Sequence, residues 1–203
     1  MRKSYYIILG LILLSVALGI GLYPIMPERM ASHWNAKGQV DGYLPKFWGL
    51  FLMPIVTLGM FLLFLIIPKI DPLKNNLEKF RKYFDGFIIL IVLFLFYLQL
   101  LTIGWGFGLR FDMGQVLMPA LAILIFCAGI LISKAKRNWF VGIRTPWTIS
   151  SDNVWEKTHR LAGKLFKIAG IIIFFAAFLK GNILYFVFIP MVIAALWPMV
   201  YSY

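Results

Sequence analysis

A chain of 203 residues that is 62% hydrophobic and only 14% charged, with a mean hydropathy of +0.86, departs from soluble composition on every count. Soluble domains carry about 45–50% apolar and about 25% charged residues, and so short a chain has too little interior to hide the excess. A soluble enzyme, a disordered regulator and a disulfide-stapled domain are excluded, the last because Cys127 is the single cysteine; the net charge of +12 reads as topology signal and lipid contact, not direct nucleic-acid binding.

A membrane span needs about 20 mostly apolar residues at about 1.5 Å each. Six stretches qualify: Tyr5–Leu22, Phe47–Ile67, Phe87–Ile103, Val116–Ile132, Leu165–Leu179 and Ile183–Val200. Before the first, Arg2-Lys3 and the later Ala17-Leu18-Gly19 imitate a secretory signal, but the apolar run continues to Leu22 and suits an uncleaved span. Pro54, Pro119 and Pro190 read as kinks within spans, because neighbouring helices re-satisfy the freed carbonyls. The fifth stretch is short, with an amphipathic helix leading into it.

Charge between the spans sets the orientation. Arg2 and Lys3, then Lys69, Lys74, Lys79, Arg81 and Lys82, then Lys134, Lys136, Arg137, Arg144, Lys157, Arg160 and Lys164 mark one side. The alternate loops hold fewer cations: Arg29, Lys37 and Lys46, then Arg110, then Lys180. The bias places both termini in the cytoplasm. The predicted fold class is therefore an all-α membrane protein, a six-transmembrane-helix bundle forming a single transmembrane domain over residues 1–203. A small extracytoplasmic loop or hairpin and an interfacial amphipathic helix complete it.

The spans carry no Asp, Glu, Lys, Arg or His near their centres, which disfavours proton-coupled transport. Thr57, Gln99 and Thr102 are the main polar side chains at depth and read as interhelical hydrogen-bonding groups. His33 and His159 fall in loops on opposite sides, so they cannot share a metal. No catalytic grouping, metal set or cofactor motif emerges, and the chain does not read as an enzyme.

The first outside loop, residues 24–46, holds turn signals at Asn35 through Gly38 and at Asp41-Gly42. Met30, Ser32 and Trp34 alternate with Ala31 and His33 as in a short strand, which predicts a hairpin. Trp34, Tyr43 and Trp48 also suit interfacial anchoring. For the loop as a whole, His33, Trp34, Asn35, Asp41 and Tyr43 between tight turns are candidate recognition residues.

The second inside loop, within residues 134–164, is longer. Gly142 and Pro146 interrupt any helix, and Ser150, Ser151 and Asp152 can cap the helix that follows. Val154, Trp155, Thr158, Leu161, Ala162, Leu165 and Phe166 then recur at helical spacing, with Glu156 and Arg160 placed for an i,i+4 pair. Lys157, Arg160, Lys164 and Lys167 form one basic stripe; Lys157, Lys164 and Lys167 are candidate contacts for anionic membrane lipid. Arg144, Thr145, Pro146, Trp147, Trp155, His159 and Arg160 are candidate partner-docking residues, with a bundle-facing structural role as the other reading.

These two loops carry a resemblance. Pro27-Glu28, His33-Trp34-Asn35, Gly38, Asp41-Gly42-Tyr43 and Lys46 resemble the signature of a domain of unknown function. Gly142-Ile143-Arg144-Thr145-Pro146-Trp147-Thr148, Ser150-Ser151-Asp152, Val154-Trp155 and Lys157-Thr158-His159-Arg160-Leu161 resemble the SdpI family of integral-membrane immunity proteins. Asn153 departs from the pattern, where a Glu would close a capping box with Ser150. The resemblance implies a multi-pass protein of the bacterial plasma membrane that protects its producer from a secreted peptide toxin. Some members act as receptors that draw a cytosolic transcriptional repressor to the membrane. The rival reading is a small channel or exporter for a peptide or lipid-like solute.

Overall fold

The computed structural model describes residues 2–35, 38–179 and 183–203, with the side chains of Ile183 and Leu184 excepted. Lys37 and Lys180, counted among the outside charges, lie outside the described residues. The elements run α1 (Lys3–Leu22), β1 (Arg29–Trp34), β2 (Val40–Pro45), α2 (Lys46–Ile70), α3 (Lys74–Lys79), α4 (Arg81–Gly106), α5 (Met113–Lys134), α6 (Pro146–Ser150), α7 (Asp152–Ala176) and α8 (Ile183–Tyr201).

Each predicted span falls in a helix, although α7 stops at Ala176 rather than Leu179. The helices continue through Pro54, Pro119 and Pro190 without a break. Four of them (α1, α2, α4 and α5) are long and apolar enough to cross a membrane; in α8 the apolar helix is shorter, Tyr185–Tyr201. The remaining long helix, α7, is amphipathic, because Trp155, His159, Ala162 and Ala169 bury one face while Glu156, Lys157, Arg160 and Lys164 lie on the other.

The chain divides into two compact units, Met1–Leu63 with Ile89–Leu117, and Phe64–Ile88 with Met118–Tyr203. In the first, Gln99 is fully buried on α4 and ties three helices together. Its Nε2 donates to the carbonyls of Ser15 on α1 and Leu50 on α2, each at 3.0 Å, while Ser15 Oγ donates to its Oε1. A carboxamide can satisfy several backbone and hydroxyl groups at once, which makes it an effective interhelical link in an apolar medium. Thr57 and Thr102 behave differently from expectation. Each bonds its own helix, to the carbonyls of Met53 at 2.7 Å and Leu98 at 3.1 Å, because a threonine hydroxyl reaches the preceding turn more readily than a neighbouring helix.

The second unit is built on close approach of α5 and α7. A Cβ at Gly163 would lie 2.7 Å from the Gly129 carbonyl, and one at Gly129 would lie 2.8 Å from that of Gly163. Small residues let two backbones meet where apolar solvent gives no hydrophobic drive. Further along, Ala122, Ile125, Ala169, Ile173 and Ala194 join α5, α7 and α8 in one core. On α7 the buried residues Trp155, Ala162, Ala169 and Ala176 recur every seven positions and form the packed seam.

Candidate functional site

Two polar regions stand out, one in each unit. In the first, β1 and β2 pair antiparallel, with Arg29 opposite Pro45, Ala31 opposite Tyr43 and His33 opposite Gly42. The hairpin is present, but its alternation is not the simple one expected. Irregular register between Ala31, His33 and Trp34 leaves Met30 and Ala31 both buried and Ser32 and His33 both exposed. A bulge re-aims successive side chains in this way. Met26 and Met30 enter a core with Leu50 and Ile103 beneath the strands.

Most residues of the hairpin signature serve to fold it. Lys46 Nζ lies 2.7 Å from Glu28 Oε1, and Lys46 N–H donates to the Glu28 carbonyl at 2.9 Å, which closes the open end. At the turn, Asn35 Oδ1 accepts from Gln39 N–H at 3.1 Å, and Gly38 N–H donates to the Asn35 carbonyl at 2.9 Å. Trp34 packs edge-on against Trp105 at 5.5 Å, and Trp105 against Phe111 at 5.4 Å, with the Arg110 guanidinium 4.8 Å above the Trp105 ring. This cluster anchors the tip of β1 to the end of α4, and sequence reasoning missed it, having counted Arg110 only as a topology charge. Tyr43 is half exposed, with the Arg29 guanidinium 5.9 Å from its ring.

His33 and Asp41 are left on the surface. Nδ1 of His33 lies 2.5 Å from Asp41 Oδ1, and their side chains are 71% and 44% exposed. An exposed imidazole held by a carboxylate keeps one ring nitrogen oriented and presents the other outward.

The second polar region, between α5 and α7, is a folded knot. Asn138 is fully buried and uses both ends of its amide. Its Nδ2 donates to the carbonyls of Lys136 and Val141, and its Oδ1 accepts from the N–H groups of Phe140 and Val141. Asp71 reaches in from the α2–α3 connection, accepting from Leu73 N–H at 2.7 Å and Trp139 N–H at 3.0 Å. Thr145 caps α6 in a reciprocal box with Thr148, and Pro146 takes the first helical position. A capping box is thus present one helix earlier than the Ser150 position would suggest. Ser151 caps α7, with Val154 N–H 3.4 Å from its hydroxyl.

His159 holds the centre. Its Nδ1–H donates to the Trp155 carbonyl at 2.8 Å, and its Nε2 accepts from Ile143 N–H at 3.0 Å. Both nitrogens are engaged as in a neutral ring, and burial holds the pKa down at about 4, opposed in part by the Trp155 carbonyl. Gly142 makes this approach possible. At φ +113 its backbone is one that L side chains rarely adopt, and a Cβ there would overlap His159 Nε2. Trp155 stacks on the imidazole at 3.9 Å and donates from Nε1 to the Ala135 carbonyl at 2.8 Å.

Of the candidate docking residues, Trp155 and His159 are therefore interior, while Arg144, Pro146, Trp147 and Arg160 are exposed. Arg144 Nη1 donates to the Trp139 carbonyl at 2.6 Å. Thr145 Oγ1 meets Ser202 Oγ at 2.9 Å, and Trp147 packs edge-on against Tyr203 at 5.0 Å, so the end of the chain clasps the loop. Glu156 does not rely on Arg160 as expected. Lys136 bonds it at 2.6 Å and, by that bond and its charge, holds the carboxyl below the usual carboxylate range; Arg160 adds the smallest attraction. On the basic stripe, Lys157 and Lys164 are exposed and Lys167 is half-buried.

The two regions coincide with the two stretches matched in known families. Residues 134–202 match the SdpI/YfhL protein family, and residues 10–58 match a domain of unknown function, DUF1648. The resemblance read from the two loops thus holds at both. The chain is also similar to the immunity protein SdpI of Bacillus subtilis (strain 168), at 27% identity over 97% of this chain and 91% of that protein. No solved structure matches it. With its apolar helices, the SdpI-like chain is a multi-pass plasma-membrane protein.

Proposed function

We propose that this chain is an immunity protein of the bacterial plasma membrane whose hairpin meets a secreted peptide toxin on the outer face. The reading is carried by the exposed His33–Asp41 pair. Glu28, Trp34, Asn35 and Lys46 are consumed in folding the hairpin, whereas His33, Asp41 and Tyr43 remain available to a ligand. Likeness along almost the whole chain to a protein named for immunity supports the same role.

Six crossings suit this arrangement, with α7 and α8 as the fifth and sixth. The Thr145–Ser202 contact supports an even number of crossings between the loop and the C-terminus, which keeps both on the cytoplasmic side. There the exposed Arg144, Pro146, Trp147 and Arg160 form the surface to which a cytosolic transcriptional repressor docks, while Lys157, Lys164 and Lys167 face anionic lipid. Arg144 offers a planar fork suited to a carboxylate or phosphate, a geometry that Lys cannot reproduce.

The test is expression in a toxin-sensitive strain followed by survival counts. Wild type protects, and His33→Ala with Asp41→Ala lowers protection at least tenfold at equal membrane abundance. Full protection by that double variant places recognition elsewhere, and absence of protection by wild type rejects the immunity role.

A further inference from the structure

A cleft of about 360 Å³ opens in the second unit between the start of α4, the end of α5 and the first turns of α7. Lys79, Lys134, Lys136 and Arg160 line it against the single carboxylate of Glu156. That carboxylate is already bonded to Lys136, and Lys79 donates to Asn76 Oδ1 at 2.8 Å. Among the described residues Lys134 has no ion pair, its Nζ lying 6.0 Å from the centre of the Tyr83 ring, and Arg160 forms none either, attracting Glu156 only weakly beside Lys136. His159, which also borders the cleft, is fixed by its two hydrogen bonds as a neutral ring and adds no charge. These exposed cations give the cleft a net positive charge, and a cleft lined by one sign of charge concentrates anions.

Its depth identifies the anion. Lys134 is the last residue of the apolar helix α5, and Tyr83 is the third of the apolar helix α4. Where two spanning helices end, the surrounding medium is the lipid headgroup layer, and tyrosine favours that layer. Basic pockets between spans at this level suit anionic headgroups. A volume of about 360 Å³ lies in the range of small-ligand sites. We propose that this cleft binds the phosphate of an anionic phospholipid, with Lys134 and Arg160 as the principal contacts and the Phe80 and Tyr83 rings beneath the glycerol. Of the basic stripe on α7, Arg160 lines this cleft, whereas Lys157 and Lys164 do not.

The experiment uses the full chain purified in an uncharged detergent, with thermal unfolding followed by tryptophan fluorescence. Dihexanoyl phosphatidylglycerol should raise the unfolding temperature saturably, while dihexanoyl phosphatidylcholine and inorganic phosphate should not. Lys134→Gln combined with Arg160→Gln should weaken the phosphatidylglycerol response on the order of thirtyfold, since each cation near a lipid surface contributes about 1 kcal/mol. Lys157→Gln with Lys164→Gln should leave it intact. If the first double variant does not fold, Lys79→Gln serves, with an expected weakening of about fivefold. Equal responses to both lipids, saturation by inorganic phosphate alone, or equal loss in the stripe variant would each overturn the proposal.

Discussion

The hairpin and the α5–α7 loop carry signatures of similar density, yet they spend them in opposite ways. On the hairpin, the paired polar groups His33 and Asp41 stay largely in solvent. In the loop, Asn138, Thr148, Trp155 and His159 are buried almost completely, each with a stated partner. A polar residue buried with both its donor and acceptor satisfied is a structural commitment, whereas the same residue left at a surface can be spared for a ligand. A specific motif is thus not in itself a contact surface. In the loop it builds a platform, and of the candidate docking residues Arg144, Pro146, Trp147 and Arg160 remain on its outside.

The contrast can be broken most directly at Gly142. Gly142→Ala must leave the φ +113 conformation or displace His159, and it should destabilise the protein by about 3–4 kcal/mol from strain and the lost Ile143 hydrogen bond. Denaturation in detergent measures this directly, and wild-type stability in the variant would show that the knot does not depend on the close approach.

Acid should loosen the same knot. The folded His159 pKa, about 4, lies below the ordinary 6.5, so the unfolded chain binds a proton first. The stability this contributes is complete above pH 6.5, is lost as the pH falls toward about 4, and changes no further below it; its size is roughly 3 kcal/mol. In His159→Gln that slope should vanish from the pH dependence of unfolding. A slope unchanged by the substitution would assign it to another group.

The smallest expected effect is on the hairpin. His33→Ala and Asp41→Ala each should change unfolding stability by less than about 1 kcal/mol, because an exposed pair gains little over its interactions with water. A loss comparable with that of Gly142→Ala would show that the His33–Asp41 pair, too, is part of the fold, and would erase the difference between the two regions.

What the sequence by itself determined is what short-range physics writes into it. Apolar runs long enough to cross hydrocarbon marked the helices, and Asn35 with Gly38 marked a turn between strands. The amphipathic period from Val154 to Phe166 marked the start of α7. Pairings between distant parts of the chain were decided only in the tertiary structure. Gln99 meets Ser15 across 84 positions, Asp71 meets Trp139 across 68, and Thr145 meets Ser202 across 57. Glutamine, aspartate and threonine can each satisfy many partners, so their identities carry no address. Packing selects one by burying it, since an unpaired polar group left in an apolar interior costs more than almost any alternative arrangement.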